Sequence, residues 1–233
     1  MIDSRFAIGS MLAAALGGCG LISSDVTNFN LDLPDKNFTI DAAGWQVDAD
    51  QAAVLTQTSC ASNPSICASA ADAACAMDCT GRCGAQDTCE LELDVGLYQS
   101  IDLVTEKPEL QSLNDEPIIK VTIDSVRFEV PSNTLTLATP EMKVYVAPMS
   151  VMDPTDPQAK LIGVIPAVPP GATTGSEELQ FTATGRADLV AIMSTFKTPF
   201  NLIVGSTLTL TSTTPAPMGR LDAVVHIKAH AGL

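Results

Sequence analysis

The chain has 233 residues, enough for one domain or two small ones. Hydrophobic residues make up 46% of it, which is ordinary for a protein with a core and too high for a disordered chain. The formal net charge of -15 makes nucleic acid and anionic lipid headgroups poor partners, because such a surface repels phosphate. Aromatic residues are only 4%, which argues against stacking platforms for sugars or bases.

The N-terminal segment has the pattern of a secretory signal. Arg5 precedes an apolar run over residues 6–16, which is too short for a bilayer span of about 20 residues but fits the apolar region of a signal peptide. Leu16-Gly17-Gly18-Cys19 follows, and it resembles the lipobox of bacterial lipoproteins. The resemblance implies cleavage before Cys19 and diacylation of its sulfur. The alternative is an ordinary cleaved signal with an incidental cysteine.

This resemblance sets the expected location of the protein. Residues 1–18 are the expected signal peptide and residues 19–27 a lipidated tether, with the acyl anchor on Cys19 the only non-protein group expected. Each buried methylene contributes about 0.8 kcal/mol, so two or more acyl chains anchor stably. Gly20 stands where lipoproteins retained in the inner membrane of enteric bacteria carry Asp. The outer membrane of a Gram-negative bacterium is therefore expected, in either leaflet.

The other six cysteines form a cluster and predict three disulfides. Export places them in an oxidising compartment, and their number is even. They are Cys60, Cys67, Cys75, Cys79, Cys83 and Cys89. No C-x2-C spacing of a zinc ribbon or redox dithiol occurs among them, so no metal site is expected.

An alanine-rich helix is predicted inside this cluster, over residues 68–77. If it extends slightly at both ends, it takes in Cys67, Cys75 and Cys79 roughly on one face. The resulting hypothesis pairs each helix cysteine with one outside the helix. It reduces 15 connectivities to six and excludes a Cys75–Cys79 bond.

Short alternating segments predict strands along most of the remaining chain. Leu91, Leu93 and Val95 alternate with acidic residues, and a change of phase at Ser125 indicates a β-bulge. The predicted strands fall at residues 29–33, 38–40, 91–97, 121–130, 135–137, 142–146, 161–165, 179–183, 202–204, 208–211 and 221–227. One segment, 189–196, instead has helical spacing, with Asp188 as its cap and Pro199 as its stop.

These elements predict a mainly β protein: an antiparallel β-sandwich, or barrel-like fold, with one short helix and a disulfide-stapled helical insertion. Residues 28–233 are interpreted as one domain with the insertion at 51–89. The alternative is a separate stapled N-terminal module. Taken whole, the chain is similar to uncharacterised envelope lipoproteins of myxobacteria, a resemblance that implies no activity.

Two polar groupings are candidate metal ligands, and both are interpreted as solvated faces. His226 and His230 lie on one face of a predicted strand, about 13 Å apart at ~3.3 Å per residue, too far to share a metal. Glu90, Glu92 and Asp94 form an acidic row whose spacing departs from a calcium loop. The chain also lacks G-x-S-x-G, H-E-x-x-H and Walker patterns, so an enzyme is not expected.

Two loops carry apolar residues where polar ones are usual. One contains Met149, Val151 and Met152, and the other contains Val168 and Pro169. These side chains either bind a partner or a lipid, or fold back over the sandwich.

The expected function is that of a membrane-anchored cell-envelope lipoprotein, acting as a non-enzymatic binding or structural module for an unidentified envelope protein. The alternative is a carrier or sensor of a hydrophobic ligand, an acyl chain held in a sandwich or barrel cavity. A chain with few aromatic residues and many aliphatic ones suits such a cavity without requiring it.

Overall fold

The computed structural model describes residues 28–113 and 119–232. Within these ranges the chain is mainly β, in two antiparallel sheets with a few short helices, which confirms the predicted fold class. The lipobox and Cys19 lie outside the described residues. No helix in the described part combines the length and the hydropathy that crossing a membrane requires.

One sheet has five strands and includes the last strand of the chain. Its members are β1 (Asn28–Asn30), β2 (Lys36–Asp41), β5 (Lys120–Asn133), β8 (Thr174–Glu178) and β11 (Arg220–Gly232). They run in the order β1-β11-β5-β8, and β2 also pairs with β11. The predicted change of phase is confirmed: Ser125 pairs with Lys228 and Ile123 with Ala229, so Asp124 is the extra residue of a bulge.

The other sheet has six strands. They are β3 (Cys79–Cys83), β4 (Cys89–Ile101), β6 (Met142–Pro148), β7 (Lys160–Ile165), β9 (Gln180–Phe181) and β10 (Phe200–Leu210). Their order is β3-β4-β10-β6-β7-β9, so β10 lies between β4 and β6. Leu91 and Leu93 of β4 are buried as predicted, and one core cluster joins them to Val225 of β11 and Phe128 of β5.

Short helices fill the connections. They are α1 (Ala49–Gln57), α2 (Ile66–Ala74), α3 (Leu103–Glu106), α4 (Gly185–Ser194) and two 3-10 turns, Ala42–Trp45 and Pro108–Leu113. α4 begins earlier than predicted, with Thr184 as its N-cap and Asp188 inside its first turn. Gly185 fits there because its backbone packs against Ile162, whose carbonyl oxygen would lie 1.8 Å from any Cβ.

Three disulfides are present, but the pairing hypothesis is wrong. The bonds are Cys60–Cys83, Cys67–Cys89 and Cys75–Cys79. The helix ends at Ala74, whose carbonyl accepts a hydrogen bond from Asp48, and the chain turns back so that Cys79 opens β3. Of the three cysteines predicted on the helix, only Cys67 lies in α2. The helix propensity of the alanine-rich sequence does not extend the helix to Cys75 and Cys79, which a disulfide joins across a turn.

Two of the disulfides lie side by side beneath α2. The sulfur atoms of Cys60, Cys67 and Cys89 lie within 4.8 Å of one another, and all three residues are fully buried. A metal would need them as thiolates, whereas each is bonded to another cysteine. The cluster therefore acts as a covalent core for the insertion.

Candidate functional site

A cleft of about 950 Å³ lies on the outer face of the six-stranded sheet. Its floor crosses three strands at one level, where Gly96 of β4 pairs with Gly205 of β10 and Gly205 pairs with Lys143 of β6. The neighbouring residues Val95 and Val204 point into the core. The cleft is therefore built on the solvent side of the sheet, outside the space between the sheets.

Gly96 and Gly205, which have no side chains, allow a loop to pack closely against the floor of the cleft. Residues 149–159, between β6 and β7, fold back so that Pro154 lies against the sheet. A Cβ on Gly205 would lie 2.7 Å from the Cβ of Pro154, whereas a Cβ on Gly96 would be 3.4 Å from its Cδ. Pro154 thereby forms one wall of the cleft, next to Met152 and Thr155.

A buried asparagine fixes this loop to the sheet. The amide of Asn201, on β10, donates hydrogen bonds to the carbonyls of Met149 (3.0 Å) and Val151 (2.8 Å). Its own oxygen accepts a bond from the hydroxyl of Ser100 on β4. Val151 is 5% exposed and packs with Ala147 and Ile203 in a second small core on the outer face.

The two apolar loops neither fold back completely over the sandwich nor expose all their apolar side chains. Met149 and Met152 are 53% and 50% exposed, so only Val151 of the first loop folds inward. In the second loop Val168 is buried and bonded to Thr139, while Pro169 is exposed. The loops follow β6 and β7 respectively, and these strands are antiparallel, so the loops lie at opposite ends of the sheet and form no common surface.

The lining of the cleft combines aromatic, apolar and acidic groups. Tyr98 and Tyr145 both lie beside Ile203, one on each neighbouring strand. Partial burial raises the pKa of Tyr145 above the ordinary value of a phenol. The carboxylates in the lining belong to Asp78, Asp94, Glu141 and Asp153. Hydrogen bonds from the Thr155 backbone and hydroxyl lower the pKa of Asp153 and hold it charged.

The acidic row on β4 is divided between two uses. The guanidinium of Arg82, on β3, forms ion pairs with both Glu90, at 2.7 Å, and Glu92, at 2.5 Å. Asp94, the third member, accepts a hydrogen bond from Thr207 at 3.0 Å and faces the cleft. The row therefore does not act as one group.

The two histidines lie on the other sheet and do not meet. The Nδ1 atom of His226 is 2.6 Å from Asp35, and its Nε2 atom is 3.8 Å from Glu129. His230 pairs separately with Asp124 at 3.0 Å. Each histidine thus has its own acidic partner, and neither lines the cleft.

The seat of Pro154 gives a direct test of how the cleft is built. Gly205→Ala places a methyl group against the proline ring, and we expect the unfolding free energy to fall by about 1–2 kcal/mol through overpacking. Amide exchange over residues 149–159 will rise as the loop lifts. Urea unfolding and hydrogen-exchange mass spectrometry measure the two effects.

Gly96→Ala is the matched control, because its methyl group meets Pro154 at an ordinary contact distance. We expect a change within about 0.5 kcal/mol and unaltered exchange in the loop. Equal effects of the two alanines would mean that Pro154 is not seated on Gly205.

Most of the cleft carries no local signal in the sequence, and the sequence analysis above predicts few of its residues. Of the lining residues it predicted Met152 and Asp94 as candidates, but not Tyr98 on β4, nor Tyr145 and Lys143 on β6. The available signal was a glycine inside each of two strands, since a glycine within a strand often marks a place where another part of the chain approaches the backbone closely.

Neither a protein-family model nor a curated protein matches the chain.

Proposed function

We propose that the protein is a membrane-anchored lipoprotein of the bacterial cell envelope, and that its β-sandwich is a non-enzymatic binding module. The anchor rests on Leu16-Gly17-Gly18-Cys19 and the apolar run before it, in the pattern of a lipobox. Acylation of Cys19 would hold the chain at the outer membrane.

The outer-face cleft is the observation that carries the binding role. It is a concave surface of ligand size whose lining brings tyrosine, methionine and proline side chains together with hydroxyl and charged groups. Within the described residues its lining contains neither histidine nor cysteine, and the two histidines lie on the other sheet. A nucleophile paired with a histidine base has no counterpart among these residues, whereas the convergent charged, hydroxyl and aromatic groups support binding.

The lining also bears on the choice between a partner-binding module and an acyl carrier. An acyl chain is held by apolar walls, because each charged group near it must remain hydrated. Four carboxylates and the ammonium of Lys143 line this cleft, which also lies on the outside of the sandwich. These features favour a polar or charged partner over an aliphatic ligand.

The anchor is tested by expressing the full chain in a Gram-negative host and following its membrane fraction and intact mass. We expect wild-type protein in the outer-membrane fraction, cleaved before Cys19 and heavier by the glyceride and acyl groups. Cys19→Ala is expected to lose that added mass and the membrane association.

Gly20→Asp is the matched control. In an enteric host it is expected to keep the lipid mass while moving the protein to the inner membrane. An unmodified Cys19 in a soluble, cleaved chain would contradict the proposal and identify an ordinary secretory signal.

A further inference from the structure

We infer that the outer-face cleft receives lysine or arginine side chains from an extended segment of a partner protein. The inference rests on the binding role proposed above and adds the chemistry of the partner.

The first support is the unbalanced charge of the cleft. Asp78, Asp94, Glu141 and Asp153 face a single cation, Lys143. The side chains of Asp78 and Glu141 are exposed, and among the described residues neither carboxylate makes an ion pair or hydrogen bond. A cationic group entering here would gain partners without displacing one.

Several acids outside the cleft, on both sheets, differ because an arginine of the chain already pairs with them. Glu90 and Glu92 already share Arg82. On the five-stranded sheet Glu178 pairs with Arg127, and Asp222 pairs with Arg220. The unpaired carboxylates of Asp78 and Glu141, by contrast, lie in a concave site, where low-dielectric walls concentrate the field.

The second support is the shape of the aromatic walls. Tyr98 on β4 and Tyr145 on β6 lie on either side of Ile203, which is on the strand between them. At ~4.8 Å per strand spacing, their Cα atoms are about 10 Å apart. Phenol rings attract ammonium and guanidinium groups, and Met152 and Pro154 offer apolar surface to the methylene stems. Aromatic rings beside carboxylates match a long side chain that ends in a cation.

The third support is size, which favours a protein segment over a free amine. The volume of about 950 Å³ is at the upper end of the range for ligand pockets, roughly 300–1,000 Å³, and exceeds what one side chain fills. Its rim carries Tyr98 at 44% exposure and Met152 at 50%. Tyrosine and methionine are enriched at protein interfaces.

The test uses an acetylated tetralysine amide as the probe, titrated calorimetrically into the exported full chain in a neutral detergent. We expect saturable binding at about 20 mM salt that weakens at about 150 mM, because exposed charges are screened. The same peptide with every lysine acetylated is expected not to bind.

Two double variants with equal charge change separate the cleft from the acidic surface as a whole. Asp78→Asn/Glu141→Gln removes two cleft carboxylates, and we expect affinity to fall roughly tenfold. Asp72→Asn/Glu177→Gln removes two exposed carboxylates outside the cleft lining and is expected to change affinity less than about twofold. Tyr98→Ala is expected to weaken binding about threefold.

Equal weakening by the two double variants would overturn the inference, since the probe would then be reading overall charge. Undiminished binding of the acetylated peptide would overturn it as well, in favour of an apolar partner. Absence of tetralysine binding in a protein that is acylated on Cys19 would remove the inference and leave the anchoring proposal standing. Cleft-dependent binding by a protein that is never acylated would support the inference and remove the anchoring proposal.

Discussion

Replacing Cys67 and Cys89 together by alanine is expected to lower the free energy of unfolding by about 3 kcal/mol. This disulfide spans 22 residues of sequence, and closing a loop of that length removes much conformational entropy from the unfolded chain. Both cysteines are fully buried, so their removal also loses packing against α2. The helix itself is rich in alanine and has little else to bury.

Cys75→Ala/Cys79→Ala is the matched comparison within the same insertion. This bond spans only four residues, so the chain-entropy cost of its removal is about 2 kcal/mol or less. Urea unfolding of the oxidised variants measures both values, after peptide mapping has verified the remaining bonds. Equal losses, or a larger loss for the short loop, would contradict the view that α2 is held to β4 by its disulfide.

The strands could be predicted because their signal is local. Leu91 and Leu93 alternate with charged residues, and that alternation alone places them on the buried face. The bulge beside Ser125 was visible for the same reason, since an extra residue shifts the phase of the pattern. The order of the strands in the sheet could not be predicted, because no feature of the β10 sequence indicates that it pairs with both β4 and β6.

The cysteine connectivity could not be predicted because one spacing fits two structures. Cys75 and Cys79 are four residues apart, which puts them on one face of a helix and also allows a tight covalent turn. Packing decides between them. Gly81 lies so close to α2 that a Cβ there would be 2.0 Å from the Cys67 carbonyl oxygen, so the chain must run across the helix as β3.

The cleft could not be predicted because it depends on register and on a loop that folds back. Gly96 and Gly205 become neighbours only when β4 and β10 pair at one particular offset. The sequence did suggest that the loop of Met149 and Met152 was unusual, but its anchor, Asn201, lies on another strand. A buried asparagine within an apolar strand was the unused signal, since a buried amide needs hydrogen-bond partners.

Asn201→Leu is therefore expected to lower the free energy of unfolding by about 2–3 kcal/mol and to open the cleft. The carbonyl of Val151 would lose the donor of a buried hydrogen bond and that of Met149 the donor of a half-buried one, and an unsatisfied buried acceptor costs about 1–3 kcal/mol. Residues 149–159 will exchange their amides faster, and affinity for tetralysine will fall as the wall at Met152 and Pro154 is displaced.

Ser100→Ala separates this anchoring role from the rest of the network. It removes the hydroxyl that donates to Asn201 but leaves both loop bonds intact, and Ser100 is exposed. We expect a loss of about 1–2 kcal/mol, because the buried Asn201 oxygen loses its donor, but normal exchange over 149–159 and normal peptide binding. If Asn201→Leu left exchange and binding equally unchanged, the loop would be held by Val151 and Pro154 alone, and the shape of the cleft would follow from apolar packing instead of from the amide.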